Sequence, residues 1–197
     1  MNDQLSSSSL KDLLGGRNLY LIGMMGSGKS LTGPLLAKEM GYGFVDSDQV
    51  IEKVAKSSIS EIFAKEGEIG FRDIESKVLK EIGQLYSLVV ATGGGVVMRP
   101  ENWGVLHQGV VIWIDPGRNE LLARLKLDNS PRPMLNENDP ISAFDQIYQD
   151  RQLLYKEADL KILVVDESPK NVALKILNNL PSILIDSGNL SSQQTTE

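Results

Sequence analysis

Cysteine is absent from the 197-residue chain, and histidine occurs once, as His107. No disulfide framework, thiolate zinc site, iron–sulfur centre or thiol nucleophile is available, and a single imidazole supplies neither a metal-binding pair nor a Ser-His triad. Long apolar runs are also missing, since none approaches the ~18 residues of a membrane span. The first residues, MNDQLSSSSLKD, carry neither the basic and apolar regions of a signal peptide nor the Arg-rich character of a transit peptide, so a cytoplasmic chain is expected. Positive charge is not in excess. Lys and Arg total 20 against 26 Asp and Glu, a formal net charge of −6, with basic residues scattered, which argues against nucleic acid or an anionic membrane as partner. Chemistry falls to carboxylates, Lys, Arg, backbone amides and a borrowed cofactor.

The flanks are rich in Ser, Gln, Asn and Thr, so residues 1–16 and 186–197 are expected to be disordered around one domain, 17–185. Within it, short apolar runs at 18–22, 43–46, 88–92, 110–114 and 160–165 read as strands. Helical patterns separate them at 29–40, 47–56, 59–84 with a break near Gly67, 101–107, 118–126, 140–157 and 169–179. This alternation predicts an α/β, three-layer αβα sandwich on a five-stranded parallel sheet, with ligands beyond the carboxyl ends of the strands. Two inserts exceed what a crossover needs: about 47–85, and the polar, Pro-rich 128–140, which reads as a lid.

After the first strand comes Gly23-Met-Met-Gly26-Ser27-Gly28-Lys29-Ser30, a GxxxxGK[ST] phosphate loop in its strand-to-helix context. Backbone N–H groups and the helix N-terminus cradle phosphates, Lys29 adds a point charge, and the Ser30 hydroxyl suits Mg²⁺. The bland alternative is a Gly-rich turn. Pro34 falls inside the following helix, where it removes one backbone donor and permits a kink. No Asn-Lys pair exists for the base-reading motif of a GTPase, and the chain is short for a motor, which leaves a small-molecule kinase.

The acceptor side is read from three places. Asp46 and Asp48 are two apart at a strand end and point the same way; one suits magnesium's water shell and the other a hydroxyl, unless Ser47 or Asp48 merely caps the next helix. Gly93-Gly94-Gly95 follows a strand and offers close backbone approach, or is simply a flexible turn. Of only seven arginines, Arg72 either pairs with Glu68 or Glu75 along a helix or faces a ligand. Arg151 lies on the stripe of Phe144, Ile147, Tyr148, Leu154 and Tyr155 and so points inward, to a buried acid or to an anion. Arg132, between prolines in the lid, is placed to neutralise transferring phosphate oxygens or is an ordinary surface residue. His107 is expected to end a short helix, Trp103 and Trp113 to pack, and Met24 and Met25 to fill space.

In order and spacing, GMMGSGKS at 23–30, DSD at 46–48, GFRDIE at 70–75, GGG at 93–95, RPML at 132–135 and the Arg-x-x-x-Tyr at 151–155 resemble the shikimate kinase family, over about 17–180. The resemblance implies a fold like nucleoside monophosphate kinases and ATP-dependent phosphorylation of shikimate's 3-hydroxyl in aromatic amino-acid biosynthesis. It implies ATP binding by Gly26, Ser27, Gly28, Lys29, Ser30, Leu31 and Arg132, and Mg²⁺ held by Ser30 and, through water, by Asp46. Catalysis would rest on Lys29, Asp48 and Arg132, and shikimate on Asp48, Arg72, Gly94 and Arg151. The expected partners are ATP and shikimate, with no nucleic acid, no membrane and a monomeric chain. Leu125 stands at the ungapped position of the family's adenine-flanking arginine. Gluconate or nucleotide kinases and an inactive nucleotide-binding relative are the competing readings.

Overall fold

Four apolar residues in succession, Leu19–Ile22, form strand β1, and all four are buried. A continuous apolar run is what a central parallel strand requires, because both of its faces are covered. It is flanked by β3 (Leu88–Ala91) and β4 (Val110–Asp115), with β2 (Gly43–Asp46) and β5 (Leu160–Leu163) at the edges. The order is β2-β3-β1-β4-β5 and every pairing is parallel. These are the five strands and the α/β architecture expected from the sequence. In this computed structural model the described residues are 7–127, 134–135 and 139–191.

Eight α-helices stand among the described residues: α1 (Ser7–Leu14), α2 (Lys29–Met40), α3 (Ser47–Ala55), α4 (Ile59–Gly83), α5 (Pro100–Leu106), α6 (Arg118–Leu127), α7 (Pro140–Tyr155) and α8 (Pro169–Ser191). Side chains alternate across the sheet and so divide the core in two. Leu19, Leu21, Val89 and Ile112 pack under residues of α1, α2 and α8, including Leu10, Leu36 and Ile176. Tyr20, Ile22, Val90 and Trp113 pack on the other face with Leu79, Leu106, Phe144 and Tyr155 of α4, α5 and α7.

Two boundaries differ from the sequence reading. Residues 7–14, expected to be disordered, form α1, because Leu10 and Leu14 lie one turn apart and both are buried against the core. Two such leucines contribute about 1.5–3 kcal/mol each, enough to order a short Ser-rich helix by packing alone. Likewise α8 runs on past Asn179 and through Pro181 to Ser191, into the stretch expected to be disordered, with Leu180 and Leu184 continuing its buried stripe. The break in α4 at Gly67 (φ 70°) agrees with expectation, and α2 continues through Pro34 to Met40.

Register sets the functional edge. Leu21 of β1 and Asp46 of β2 are both partners of Ala91 in β3, so the chain leaves all three strands side by side. The phosphate loop, the Asp46–Asp48 segment and the glycine turn are therefore neighbours by construction.

Candidate active site

The phosphate loop begins where β1 ends, and α2 begins at Lys29 with Gly28 as N-cap in a left-handed conformation (φ 98°), which favours glycine. Lys29 is 7% exposed. Its ammonium donates to the carbonyls of Gly23 (2.8 Å) and Met24 (2.9 Å) and to Ser27 Oγ (3.2 Å), so the charge stands at the heart of the loop. Gly26, Ser27, Gly28, Lys29, Ser30 and Leu31 line a cavity of about 490 Å³, closed on its far side by Val164, Glu167, Pro169 and Val172.

Arg124 completes that cavity. Its guanidinium donates to Gly26 O (3.2 Å) and to Glu120 Oε1 (2.8 Å), which pins α6 over the loop. No sequence pattern joins positions 98 apart, and the helical Glu120–Arg124 spacing was the only signal present. The guanidinium of Arg124, the residue before Leu125, thus borders the same cavity as the phosphate loop.

Ser30 Oγ donates to Asp46 Oδ2 at 2.6 Å. The other oxygen of Asp46 accepts from the amides of Asp48 (3.0 Å) and Gln49 (3.4 Å), which makes Asp46 the N-cap of α3. Neither Ser47 nor Asp48 is the cap, so Asp48 is released from that duty. A hydroxyl and a carboxylate in contact form a hard-oxygen pair of the kind that suits Mg²⁺ shared with phosphates. Among the described residues no group of three or more His, Asp or Glu is gathered to cage a metal by itself.

A second cavity, of about 430 Å³, opens on the other side of the loop. Met25 lines it, whereas the next residue, Gly26, lines the first. Asp48, Arg72, Glu75, Gly93, Gly94, Gly95 and Arg151 converge here, with Phe63 and Phe71 as an apolar wall (centroids 4.6 Å apart). Met25 lines this cavity, while Met24 is buried in the core. Met134 also lines this cavity. Arg132 lies outside the described residues.

Arg72 makes the helical pairs that its spacing offered and also lines the second cavity. Its Nη1 donates to Glu75 Oε2 at 2.7 Å and its Nη2 to Glu68 Oε1 at 3.3 Å, yet the guanidinium also faces the cavity. Glu75 is 2% exposed and holds the arginine from behind; burial, only partly offset by Arg72 and Arg151, raises its carboxyl above the usual range. Arg151 is buried on the inward face of α7, as its helical position implied.

Asp48 has one buried oxygen, Oδ1, with no hydrogen-bond partner. Desolvation first, then the neighbouring charge of Asp46, pushes its carboxyl up to about 6, with Glu75 adding to the rise and Lys29 and Arg72 opposing it. An unpartnered carboxylate oxygen in a cavity with two arginines is equipped to accept from a hydroxyl on an anionic molecule.

The glycine turn is moulded to these charges. A β-carbon on Gly93 would stand 2.6 Å from Glu75 Oε1 and 2.8 Å from Asp48 Oδ1, one on Gly94 would stand 3.4 Å from Arg151 Nη1, and one on Gly95 would collide with the Arg72 guanidinium. The two expected packing residues behave as read: Trp113 is buried in the core, and the Trp103 indole donates to Val97 O (3.0 Å). His107 ends α5.

A protein-family model for shikimate kinase matches residues 25–181. The shikimate kinase of Prochlorococcus marinus (strain MIT 9211) is 56% identical over 197 residues, which is 100% of both chains. A solved structure, shikimate kinase from Acinetobacter baumannii in complex with shikimate, has a TM-score of 0.82 at 35% identity and covers 88% of this chain and 97% of that one. A gluconokinase from Sinorhizobium meliloti 1021 has a TM-score of 0.56 at 16% identity, covering 91% and 98%, and shares the fold alone. With the ordered motifs, the paired cavities and these likenesses in agreement, the chain belongs to the shikimate kinase family.

Proposed function

We propose that this chain transfers the γ-phosphate of ATP to the 3-hydroxyl of shikimate, in a monomeric cytoplasmic enzyme serving aromatic amino-acid biosynthesis. The observation that carries this reading is the division of one loop between two cavities: Lys29 and Ser30 in one, and two arginines with an unpartnered Asp48 oxygen in the other. ATP phosphates lie along Gly26–Ser30 and replace the carbonyl partners of Lys29, while Leu31 borders the nucleotide and Arg124 covers it. Arg72 and Arg151 grip the acceptor's carboxylate, since planar guanidinium forks suit that geometry. Gly94 presents its amide to the ring hydroxyls. Asp48 accepts the hydroxyl proton and fixes the attacking oxygen toward the loop.

Ser30 and Asp46 are the residues that would hold Mg²⁺, Asp46 through water; bound there, the ion supplies charge neutralisation across the phosphates. Arg132 is assigned to the same neutralisation from its motif. No described helix is long and apolar enough to cross a membrane. Neither nucleic acid nor a membrane is included among the partners, which agrees with the net charge of −6.

A coupled ADP-release assay with ATP, Mg²⁺ and shikimate tests the reading, with gluconate and a nucleoside monophosphate as competing acceptors. ADP release that depends on shikimate is expected. Its absence, or faster turnover of either competitor, overturns the assignment.

A further inference from the structure

The Gly93–Gly95 turn has no side chain with which to pack, so its shape depends on hydrogen bonds made to it from elsewhere. Gly93 N–H donates to Ser47 Oγ (3.1 Å), and Gly93 O accepts from Val96 N–H (3.2 Å). The carbonyl of Gly94 accepts from the phenol of Tyr155 at 2.6 Å. Tyr155 is wholly buried, and burial pushes its phenol up to about 12, so the hydroxyl keeps its proton and donates. It stands one helical turn beyond Arg151 on the same face of α7. One helix therefore delivers two groups to one residue: the phenol to the Gly94 carbonyl, and a guanidinium that would lie 3.4 Å from a Gly94 β-carbon. The phenol ring is itself stacked on Trp113 (5.6 Å), over whose indole Lys161 Nζ lies at 3.8 Å.

We propose that Tyr155 is a positioning residue for the acceptor, tying Gly94 by its carbonyl to the helix that carries Arg151, so that the Gly94 N–H on the preceding peptide unit and the guanidinium hold a fixed separation. This rests on the reading that Gly94 and Arg151 meet shikimate. Tyr155 itself touches no substrate and no phosphate.

Tyr155→Phe removes one oxygen and keeps the ring. Its KM for shikimate is expected to rise about ten-fold, from the half-buried Gly94 carbonyl left without its donor, while the KM for ATP stays within about two-fold. Trp113→Phe, which loosens the stacked ring but retains the hydroxyl, serves as the packing control; it lowers the melting temperature and leaves the shikimate KM within about two-fold. A wild-type shikimate KM in Tyr155→Phe overturns the proposal, as does an equal rise in both variants, which would make the effect one of packing. If Tyr155→Phe does not stay folded, amide hydrogen exchange on the ligand-free wild type reads the same turn. Protected Gly93 and Val96 amides are expected, and exchange at loop rates overturns the proposal. A wild type silent toward shikimate removes the functional reading as well, so the two failures are distinguishable.

Discussion

The guanidinium of Arg72 fills the space in which a β-carbon on Gly95 would stand. Arg72 cannot simply swing aside, because its Nη1 is held at 2.7 Å by the buried Glu75. Gly95→Ala is therefore expected to raise the KM for shikimate about ten-fold or more, by displacing a charge-assisted contact. The KM for ATP should hardly change, since Gly95 does not border the nucleotide cavity. Steady-state kinetics in both substrates check this; equal losses for both would mean that the whole sheet edge had shifted.

Asp48→Asn keeps the shape and removes the base. Turnover is expected to fall by about 10²–10⁴, the range for general-base catalysis, with nucleotide affinity nearly intact because Asp46, not Asp48, contacts Ser30. Calorimetric titration with a non-hydrolysable ATP analogue checks the second half. Parallel loss of ATP binding would assign Asp48 to the metal or the fold.

The same substitution has a stability signature. Asp48's carboxyl is raised from 3.8 to about 6, mainly by desolvation. Between those values the native state binds more protons than the unfolded chain, so the carboxylate's cost to stability grows as pH rises through this window and is complete above it. In ligand-free protein, Asp48→Asn is expected to raise the melting temperature by several degrees at neutral pH. That gain should shrink as pH falls through the window and vanish below about pH 4. Thermal melts across this range decide it, and a gain independent of pH would refute the assigned cause.

Arg151→Lys preserves charge but loses the planar fork. The KM for shikimate is expected to rise by about one order of magnitude, with kcat less affected, because the loss falls on uniform binding. Unchanged kinetics would return Arg151 to a structural role beside Tyr155.

Much of this site was legible because its signals are local. The phosphate loop is a contiguous motif after an apolar strand, and Asp46 and Asp48 stand out as a carboxylate pair, although Asp48 lies in the first turn of α3 rather than on the strand, so strand alternation does not aim the two together. Arg151 betrayed its inward direction through helical periodicity. Periodicity says which way a side chain faces but not what it meets. The grip of Arg124 on Gly26 and the bond from Tyr155 to Gly94 span 98 and 61 positions, and only the assembled sheet edge creates them. Composition misled at both flanks, where Ser-rich and Gln-rich stretches adjoin Leu10, Leu14, Leu180 and Leu184, whose burial outweighs weak local propensity. The role of Asp46 as helix cap was likewise hidden, since Asp46, Ser47 and Asp48 all have side chains able to accept the bond.

The mould formed by Gly93, Gly94 and Gly95 also restricts how this enzyme can change. Every single-base missense change of a glycine codon adds at least a β-carbon, and here that atom would meet Glu75 and Asp48 at Gly93, Arg72 at Gly95, and the phosphate-loop backbone of Gly23 and Met25 at Gly94. No first mutational step at Gly93 or Gly95 leaves all the acceptor-facing charges where they are. A lineage drifting toward another acceptor has room at Met25, Ile59, Phe63 or Met134, apolar residues of the same cavity where size can vary without touching the glycine turn.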